Sequence, residues 1–480
     1  MTITGLNHID GRWVPAASGA VFERRNPADE SDLVGVFPDS DATDVHNAVD
    51  ALDKASAEWA ATSPERRAAI LEAAADHLAA QSSSLVEELI REEGKTRAEA
   101  TMEVSRTPMN LRFYAGEAAR STGTTYPSAA PTTVYTVREP IGIVGAITPW
   151  NFPLNIPSRK LGPALAAGNT VLFKPSEITP LMGQRLVEAL LAGGLPTGAI
   201  ALVQGGGKAG AAVVEDERVA AVTFTGSTAV GRSIHRSVGP ERRVQLEMGG
   251  KNPVVVLADA DLDAAAALIV KGAFGLSGQA CTGTSRVVAV DEIHDALLGK
   301  VVERTEALTV GSDAAMGPLA SSDQLAKFLE YVKIGADEGA RLVCGGTRCE
   351  AGTLRNGFFV RPTVFADTAP GMRLLTDEIF GPVLAFQRAT SFDDALVLAN
   401  DVAFGLSASI VTKSLSDAHR FIAGSRTGLV KVNQPTTGMA MNAPFGGYKQ
   451  SSTQTFKEQA GPTLMQFYQS EKTVYLAPDA

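Results

Sequence analysis

Cysteine is scarce in this sequence, with three residues in a chain of 480. A small, odd number without CxxC spacing disfavours a disulfide framework and fits a reducing compartment, so we expect a cytoplasmic protein. The six histidines are scattered and none forms an HExxH pair, so no metal site is predicted. Apolar runs of ~18 residues are missing too, as is a basic segment followed by an apolar one at the N-terminus. We therefore expect neither a membrane span nor a signal peptide.

A surplus of basic residues is also absent, because the net charge is −10. Negative charge argues against nucleic acid or an anionic membrane surface as a partner. What is present is an ordinary globular composition, with 45% hydrophobic and 20% charged residues. The length predicts two or three domains, at ~100–200 residues for each domain.

Two series of short apolar runs, each followed by a turn and a helical pattern, organise the chain from residue 140 onwards. The first series covers 141–147, 169–175, 199–205 and 219–227, and the second covers 252–258, 285–290, 340–346, 383–389, 406–412 and 428–433. Continuous apolar strands that alternate with helices predict parallel sheets buried on both faces. The sequence therefore favours two α/β domains.

The remaining segments predict smaller features. Residues 9–13 and 22–28 read as short strands, and 41–119 read as helical because apolar residues recur at three- and four-residue spacing. The alternating segment 132–138 and the tail 472–478 read as edge strands. We expect these last two segments to form a small projection.

Three motifs carry side chains suited to covalent chemistry. Cys281, in SGQACTGTSR, is either a reactive thiol whose pKa is lowered at a helix terminus or a buried structural cysteine. Glu247, in LEMGGKNP, is a general base on a turn or a solvated loop residue. Asn151, between the prolines of TPWNFP, is an oxyanion donor or the centre of an Asx turn.

Two further segments favour a ligand with ribose hydroxyls and phosphates. Lys174 and Glu177 lie in LFKPSEITP at the carboxyl end of a predicted strand, where open α/β sheets bind ligands. A charged surface turn is the alternative. Val222–Gly231 reads as a strand, a TGS turn and a helix, which exposes N–H groups at the helix start. No segment matches GxGxxG in its proper context, so the usual dinucleotide fingerprint is absent.

Taken together, these motifs resemble the aldehyde dehydrogenase superfamily over nearly the whole chain. They occur in the family's order, as TPWNFP, FKPSE, FTGS, EMGGKNP, GQACTGTSR, EIFGP and PFGGYK. Cys281 follows Glu247 by 34 residues, the usual interval between the family's nucleophile and its base. The chain is similar to a branch that includes ketoglutarate-semialdehyde and succinate-semialdehyde dehydrogenases, with which it shares FGLSAS, APFGG and KQSS.

The resemblance implies NAD(P)⁺-dependent oxidation of an aldehyde to a carboxylic acid. Cys281 would attack the aldehyde, Asn151 and the Cys281 backbone N–H would stabilise the oxyanion, and water activated by Glu247 would hydrolyse the thioester. The implied cofactor residues are Trp150, Lys174, Glu177, Gly226, Ser227, Glu378 and Phe380. Among them, Lys174 and Glu177 would bind the adenosine ribose, and Ser227 would contact the pyrophosphate. Glu378 and Phe380 would position the nicotinamide half.

The resemblance also carries expectations for cofactor choice and assembly. Glu177 would repel a 2′-phosphate, so NAD⁺ is expected over NADP⁺, although some relatives with this Glu accept both. The implied fold has two Rossmann-like parallel-sheet domains plus a small β oligomerisation projection. We assign 1–115 and 140–249 to the cofactor-binding domain, 250–445 to the catalytic domain, and 116–139 and 463–480 to the oligomerisation strands. Edge strands that need a partner predict a homodimer or homotetramer.

Two departures from many relatives bear on the substrate. Ser452–Phe456 replaces Gly-x-Gly-Arg-Glu, and Arg159 replaces an aromatic residue eight positions after Asn151. Succinate-semialdehyde dehydrogenases and some ketoglutarate-semialdehyde dehydrogenases carry Arg there, which binds the far carboxylate of the substrate. The predicted substrate is therefore a semialdehyde acid such as 2-oxoglutarate or succinate semialdehyde. Arg159 is expected about two helical turns, or ~12 Å, from Asn151, a distance that such a short chain could partly span. An internal salt bridge is the alternative for Arg159.

A second Arg that such relatives often carry is Gly275 here, so Thr436 and Thr437 are candidates to lend hydroxyls to the substrate. Three alternative functions stay open. The first is a broad aliphatic or aromatic aldehyde dehydrogenase. The second is an acylating enzyme that uses coenzyme A, which Glu247 argues against. The third is a non-catalytic structural protein, which the retained Cys281, Glu247, Asn151 and Lys174 argue against. Cys344 and Cys349 are expected to have no chemical role.

Overall fold

The structure is a computed structural model that describes residues 2–129 and 131–477. Met1, Ala130 and residues 478–480, which fall in the predicted ranges 1–115, 116–139 and 463–480, lie outside the described residues. The helices are α1 (Ala42–Ala61), α2 (Pro64–Ala80), α3 (Ser82–Glu93), α4 (Arg97–Ala118), α5 (Asn155–Ala166), α6 (Pro180–Ala192), α7 (Gly207–Glu215), α8 (Thr228–Ser237), α9 (Leu262–Phe274), α10 (Asp291–Glu306), α11 (Ser322–Asp337), α12 (Arg373–Thr376), α13 (Phe392–Asn400) and α14 (Leu415–Gly424). Short 3₁₀ helices cover Thr197–Ala199, Gly275–Gly278, Gly352–Asn356 and Pro462–Tyr468.

The strands are β1 (Ile3–Thr4), β2 (Asn7–Ile9), β3 (Arg12–Val14), β4 (Val21–Asn26), β5 (Asp29–Pro38), β6 (Thr125–Tyr126), β7 (Thr133–Pro140), β8 (Ile143–Ile147), β9 (Thr170–Lys174), β10 (Ile200–Leu202), β11 (Val219–Thr225), β12 (Arg243–Glu247), β13 (Asn252–Val256), β14 (Thr284–Val290), β15 (Arg341–Cys344), β16 (Thr363–Ala366), β17 (Val383–Ala389), β18 (Phe404–Gly405), β19 (Ser407–Val411), β20 (Leu429–Val432), β21 (Tyr448–Lys449) and β22 (Gln469–Leu476).

The first large sheet has seven strands in the order β12-β11-β8-β9-β10-β2-β3. The five strands β12, β11, β8, β9 and β10 run parallel to one another. The hairpin β2-β3 adds two antiparallel strands at the β10 edge. Val171 and Phe173 of β9 pack with α5 and α6, whereas Leu172 packs with α1 and α7 on the opposite face. Because successive side chains of a strand point to opposite faces, an unbroken apolar run is what a sheet covered on both sides requires.

The second large sheet also has seven strands, in the order β15-β16-β17-β14-β13-β19-β20. All its pairings are parallel except the one between β15 and β16. Its central strands and helices α9, α10, α13 and α14 contribute to one apolar core. The predicted fold class, two parallel-sheet α/β units, is confirmed.

The chain returns to the first sheet after it has built the second. The backbone N–H of Met248 donates to Ser451 O at 2.8 Å, and Glu247 forms a β-bridge with Ser452. Further on, Leu464, Met465 and Phe467 are buried in the core of the first sheet. The C-terminal segment therefore covers the edge strand β12.

A separate three-stranded sheet, β22-β7-β6, links the tail to the segment before β8. β22 pairs antiparallel with β7 from Gln469 opposite Pro140 to Leu476 opposite Thr133. Tyr475 on β22 is 74% exposed. The predicted strands at 132–138 and in the tail are confirmed for the described residues, and β22 starts earlier than predicted.

The sequence did not resolve several boundaries. The helical region 41–119 is four helices, since Ser63 caps a helix that starts with Pro64 and Gly94 ends α3 with a φ of 89°. Strand β12 was missed because Arg243, Gln245 and Glu247 interrupt its apolar pattern, and β16 was missed because it has only four residues. Within the described part of the chain, no helix is long and apolar enough to cross a membrane.

Candidate active site

The carboxyl ends of four neighbouring parallel strands meet at one edge of the first sheet. Strand β8 leads to Trp150 and Asn151, β9 ends at Lys174, β11 leads to Gly226 and Ser227, and β12 ends at Glu247. The chain crosses from β8 to β9 on one side and reaches β11 on the other, so β8 and β11 flank the point where the strand order reverses. Open α/β sheets bind ligands in the crevice at such a point.

The second sheet supplies the opposite wall of this crevice. Cys281 lies in the turn before β14, and Glu378 and Phe380 lie in the loop before β17. A cavity of about 140 Å³ is lined by Trp150, Asn151, Gly226, Ser227, Cys281, Glu378 and Phe380, together with Met248, Gly249, Gln324 and Lys327. The structure therefore brings together seven of the residues that the sequence singled out. Lys174, Glu177, Glu247, Arg159 and Thr436 are not part of this lining.

Cys281 is partly buried, and its surroundings raise its pKa. Burial is the main cause and lifts the pKa of the thiol to about 12, with the charges of Glu247 and Glu378 adding to the rise. Arg159 and the backbone N–H of Thr282 act in the opposite direction. The expected lowering of the pKa by a helix start is wrong for this chain, because the turn that holds Cys281 follows the 3₁₀ helix Gly275–Gly278 and precedes a strand.

Glu247 is the last residue of β12 and is only 2% exposed, so it is not a solvated loop residue. Among the described residues, neither of its carboxylate oxygens has a hydrogen-bond partner. Burial raises the pKa of Glu247 well above its ordinary value, while the charges of Lys160 and Arg159 lower it. A buried carboxyl with a raised pKa and free oxygens is suited to exchange a proton with a bound water.

Gly249 and Gly250 follow Glu247 and allow a close approach of two other segments. The N–H of Gly250 donates to Glu378 Oε1 at 3.0 Å. A Cβ at Gly249 would overlap the Glu378 carboxylate, and one at Gly250 would lie 2.5 Å from the Cys281 carbonyl oxygen. The Gly-Gly pair is thus what lets the loops carrying Cys281 and Glu378 pack against the end of β12.

Lys160, on α5, is a buried charged residue that the sequence analysis missed. Its Nζ donates to Thr223 Oγ1 at 2.8 Å and to Gln459 Oε1 at 2.6 Å. Burial lowers the pKa of Lys160 well below its ordinary value, and the charge of Glu247 partly opposes this. A lysine directly before the apolar run 161–167 was the available signal.

Asn151 is held by a buried ionic cluster that the sequence also did not reveal. Lys95 Nζ donates to Asn151 O at 2.5 Å and lies 2.9 Å from Glu93 and 3.1 Å from Glu103. Glu103 Oε1 accepts from the N–H groups of Leu154 and Asn155, each at 3.0 Å, at the start of α5. This cluster fixes the loop on both sides of Asn151.

The Asn151 amide donates one N–H to Gln279 O at 2.8 Å, across to the loop that carries Cys281. An amide nitrogen has two N–H donors, so the second is available to a ligand in the cavity. Because the first bond runs to Gln279 rather than to its own helix, Asn151 does not serve as a local turn cap.

The two segments expected to bind ribose hydroxyls and phosphates contribute a helix start and polar side chains. Ser227 caps α8, with its Oγ accepting from Val230 N at 3.4 Å, and the free N–H groups of this helix start lie beside Gly226. Lys174 is 5% exposed, and its Nζ lies 3.4 Å from the half-exposed carboxylate of Glu177. Lys174 is therefore not part of an open surface turn.

Two cavity residues outside the recognised motifs extend this surface. Gln324 and Lys327 come from α11, and Gln324 Oε1 is a buried acceptor without a partner among the described residues. Lys327 Nζ donates to Glu378 O at 2.8 Å. An orphaned acceptor in the cavity wall matches a ligand that carries hydroxyl donors, so these residues fit a ribose-containing cofactor.

Arg159 extends from α5 towards the loop that follows β20. Its Nη1 lies 2.7 Å from Met439 Sδ, its Nε donates to Asn155 O at 3.4 Å, and its guanidinium stands 5.7 Å from the Phe445 ring centre. Within the described part of the chain, no carboxylate forms an ion pair with Arg159. The alternative of an internal salt bridge is therefore not what the structure contains.

Thr436 is not brought to the cavity. It is fully buried, its Oγ1 donates to Thr282 O at 2.7 Å, and it shares a hydrogen bond with Thr284 Oγ1 at 2.8 Å. A hydroxyl engaged in this way has no donor left for a substrate, which corrects the expectation placed on it. Cys344, on β15, and Cys349 are free cysteines away from the cavity lining.

Comparison with known proteins adds independent findings. A model of the "Aldehyde dehydrogenase family" matches residues 13–474. The chain is 42% identical over 480 residues to an alpha-ketoglutarate semialdehyde dehydrogenase of Haloferax volcanii, covering 99% of both chains. It is 42% identical over 482 residues to an alpha-ketoglutaric semialdehyde dehydrogenase of Bacillus subtilis, covering 99% of this chain and 98% of the relative. The crystal structure of an NAD-dependent aldehyde dehydrogenase from Sinorhizobium meliloti superposes with a TM-score of 0.95 at 34% identity, covering 99% of this chain and 95% of that one.

Proposed function

This chain belongs to the aldehyde dehydrogenase family, and on that premise we propose that its substrate is a short aldehyde with a distal carboxylate, such as 2-oxoglutarate or succinate semialdehyde. The protein is an oxidoreductase of a family that uses NAD(P). The observation that carries the substrate proposal is Arg159, whose guanidinium is close enough to Cys281 and Glu247 to interact with their charges and forms no ion pair with a carboxylate in the described chain. The names of the two semialdehyde dehydrogenases support the same class of substrate.

The geometry supports assignment of the acylation step to Cys281 and Asn151. The Cys281 thiol gives up its proton to solvent as its sulfur adds to the aldehyde carbon, and the carbonyl oxygen becomes an oxyanion. The free N–H of Asn151 and the backbone N–H of Cys281 donate to that oxyanion. When bound, the nicotinamide cofactor would supply the hydride acceptor that oxidation of this adduct requires, and Cys281 would then hold the substrate as a thioester.

Glu247 is assigned to the hydrolysis step. Its oxygens have no partners in the described chain, so one of them can accept a proton from a water that attacks the thioester. Lys160 and Arg159 stabilise the charged form of Glu247 that this role needs. The acid is then released, Cys281 regains its thiol, and no coenzyme A is required.

The cofactor is assigned to the edge of the first sheet, in the domain formed by 1–115 and 140–249. Lys174, Glu177, Gly226 and Ser227 would hold its adenosine and phosphate parts. From the opposite side, Trp150, Gln324, Glu378 and Phe380 would enclose the nicotinamide ribose and ring. Trp150 and Phe380 are already edge to face at 5.4 Å. The Glu177 carboxylate, half exposed beside Lys174, favours NAD⁺ over NADP⁺ because a 2′-phosphate would meet a negative charge.

The catalytic domain is then 250–445, and 116–139 with 463–480 would serve assembly. The exposed β22 and the edge strand β20 each present backbone groups that a second copy could pair with. We assign a homodimer or homotetramer on this basis.

A kinetic comparison tests the substrate proposal. Succinate semialdehyde and butanal have the same carbon count, and only the first carries a carboxylate. We expect Arg159→Leu to lower kcat/KM for succinate semialdehyde by ~10²-fold or more, since a buried charge pair loses one member. The value for butanal should change much less, and Arg159→Lys should recover part of the loss. An equal effect on both aldehydes would refute the assignment of Arg159.

A further inference from the structure

Met439 occupies the space in front of the Arg159 guanidinium. Its Sδ lies 2.7 Å from Arg159 Nη1, the guanidinium stands over the Phe445 ring, and Met439 packs against the apolar cluster to which Phe445 belongs. Cys281 contacts the same small apolar cluster of Leu406, Phe445 and Ala460. Met439 and Cys281 thus pack against one apolar cluster, and the Met439 thioether lies against the guanidinium nitrogen that a substrate carboxylate would use.

A thioether is a weak hydrogen-bond acceptor, and Arg159 has few other partners. Beyond Met439, the guanidinium donates only a long bond of 3.4 Å to Asn155 O among the described residues. Burial lowers the pKa of Arg159, which reflects the cost of keeping this cation away from water. A carboxylate that offers two charged oxygens is a far stronger partner and would displace the sulfur.

The backbone that carries Met439 is fixed, whereas its side chain can move. Lys431 of β20 donates to the carbonyl oxygens of Thr437 and Gly438, and Gly438 has a φ of +84°. Together these features define the path of the loop up to Met439. The methionine side chain has three rotatable bonds, so it can leave the guanidinium without a rearrangement of the loop.

We propose that Met439 is a specificity-determining residue: its thioether holds the place at Arg159 that the distal carboxylate of the substrate takes, and only an aldehyde with such a carboxylate displaces it. This inference rests on the proposed function. An uncharged aldehyde has nothing that competes for the guanidinium, so it meets a site narrowed by the methionine. Met439 therefore restricts the end of the site for neutral aldehydes and leaves room there for aldehydes with a distal carboxylate.

Two substitutions of similar size separate this role from simple packing. Gln matches the length of Met but carries a strong acceptor oxygen, so Met439→Gln should compete with the substrate carboxylate. We expect its KM for succinate semialdehyde to rise on the order of tenfold, with kcat unchanged because Cys281 is untouched. Leu has no acceptor, so Met439→Leu should leave that KM unchanged or lower it by a few fold. For butanal, Met439→Gln should keep the site narrowed, whereas kcat/KM should rise by about a few fold in Met439→Leu, because the leucine side chain is not held at the guanidinium.

Glutarate, an unreactive diacid, provides a binding readout that does not depend on turnover. Its inhibition constant against succinate semialdehyde should rise in Met439→Gln in parallel with KM, and should not rise in Met439→Leu. If the two variants behave alike, or if acid and neutral aldehydes are affected equally, Met439 only packs and the inference is overturned. If Arg159→Leu leaves the preference for the acid intact, the proposed function itself fails, whatever the Met439 variants do.

Discussion

Replacement of Glu247 by Gln should separate the two halves of the reaction. The substitution keeps the size of the side chain and removes its ability to accept a proton. Since neither carboxylate oxygen of Glu247 has a hydrogen-bond partner in the described chain, no existing bond is lost. The first half, formation of the thioester with reduction of the cofactor, uses Cys281 and Asn151 and should persist. The second half should stall.

The size of the effect follows from the role. A positioned general base contributes ~10²–10⁴-fold, or about 3–5 kcal/mol of activation free energy, so steady-state turnover should fall by that factor. The folded state should tolerate the change. Burial raises the pKa of Glu247, which means that its pocket already favours a neutral group. Unpaired amide donors cost about 1–3 kcal/mol at most, which a chain of this size survives.

Stopped-flow measurement of the reduced cofactor provides the assay. The Glu247→Gln protein should give a burst of about one equivalent per active site, followed by a slow phase, because the thioester accumulates. Cys281→Ser is the matched control and should give neither burst nor turnover. Normal turnover in Glu247→Gln would show that another group activates the water. Loss of the burst in well-folded protein would show that Glu247 acts before the hydride step.

Two further predictions concern the cofactor and the pH profile. Glu177→Ala should raise the ratio of kcat/KM for NADP⁺ to that for NAD⁺ by ~10-fold, because the charge that would face a 2′-phosphate is removed. The ratio is measured with one aldehyde, and an unchanged ratio would show that Glu177 does not determine the choice of cofactor. In a plot of kcat against pH, Lys160→Met should shift to higher pH the range over which kcat increases. The base is active as a carboxylate, and the Lys160 charge lowers the pKa of Glu247, so its removal raises that pKa. A range that stays in place would mean that Lys160 carries no charge when the enzyme turns over.

The sequence was informative where a local pattern carries the structure. The runs 141–147 and 169–175 contain strands β8 and β9, because strands buried on both faces must be apolar throughout. The ordered motifs pointed to seven residues that line one cavity. Both kinds of signal depend on residues that are neighbours in the chain.

The electrostatics of the site could not be read in the same way. Lys160 meets Gln459 across 299 residues of sequence, and Lys95 meets Asn151 across 56. No local sequence pattern predicts contacts between residues so far apart, so the roles of both lysines were missed. One of the two interpretations of Cys281 assumed a pKa lowered at a helix terminus. Burial raises the pKa instead, and burial depends on segments that pack around the thiol in three dimensions.

The return of the chain to β12 has a consequence for when the enzyme becomes reactive. Ser452 Oγ donates to Leu246 O across 206 residues, and Lys160 reaches Gln459 in the same late segment. During synthesis, domains form from the N-terminus, so the floor beneath Glu247 is completed only as the last few dozen residues leave the ribosome. Contacts of such long range also slow folding, because the loop they close costs entropy first. A nascent or C-terminally truncated chain would thus hold the cysteine without a finished hydrolytic site.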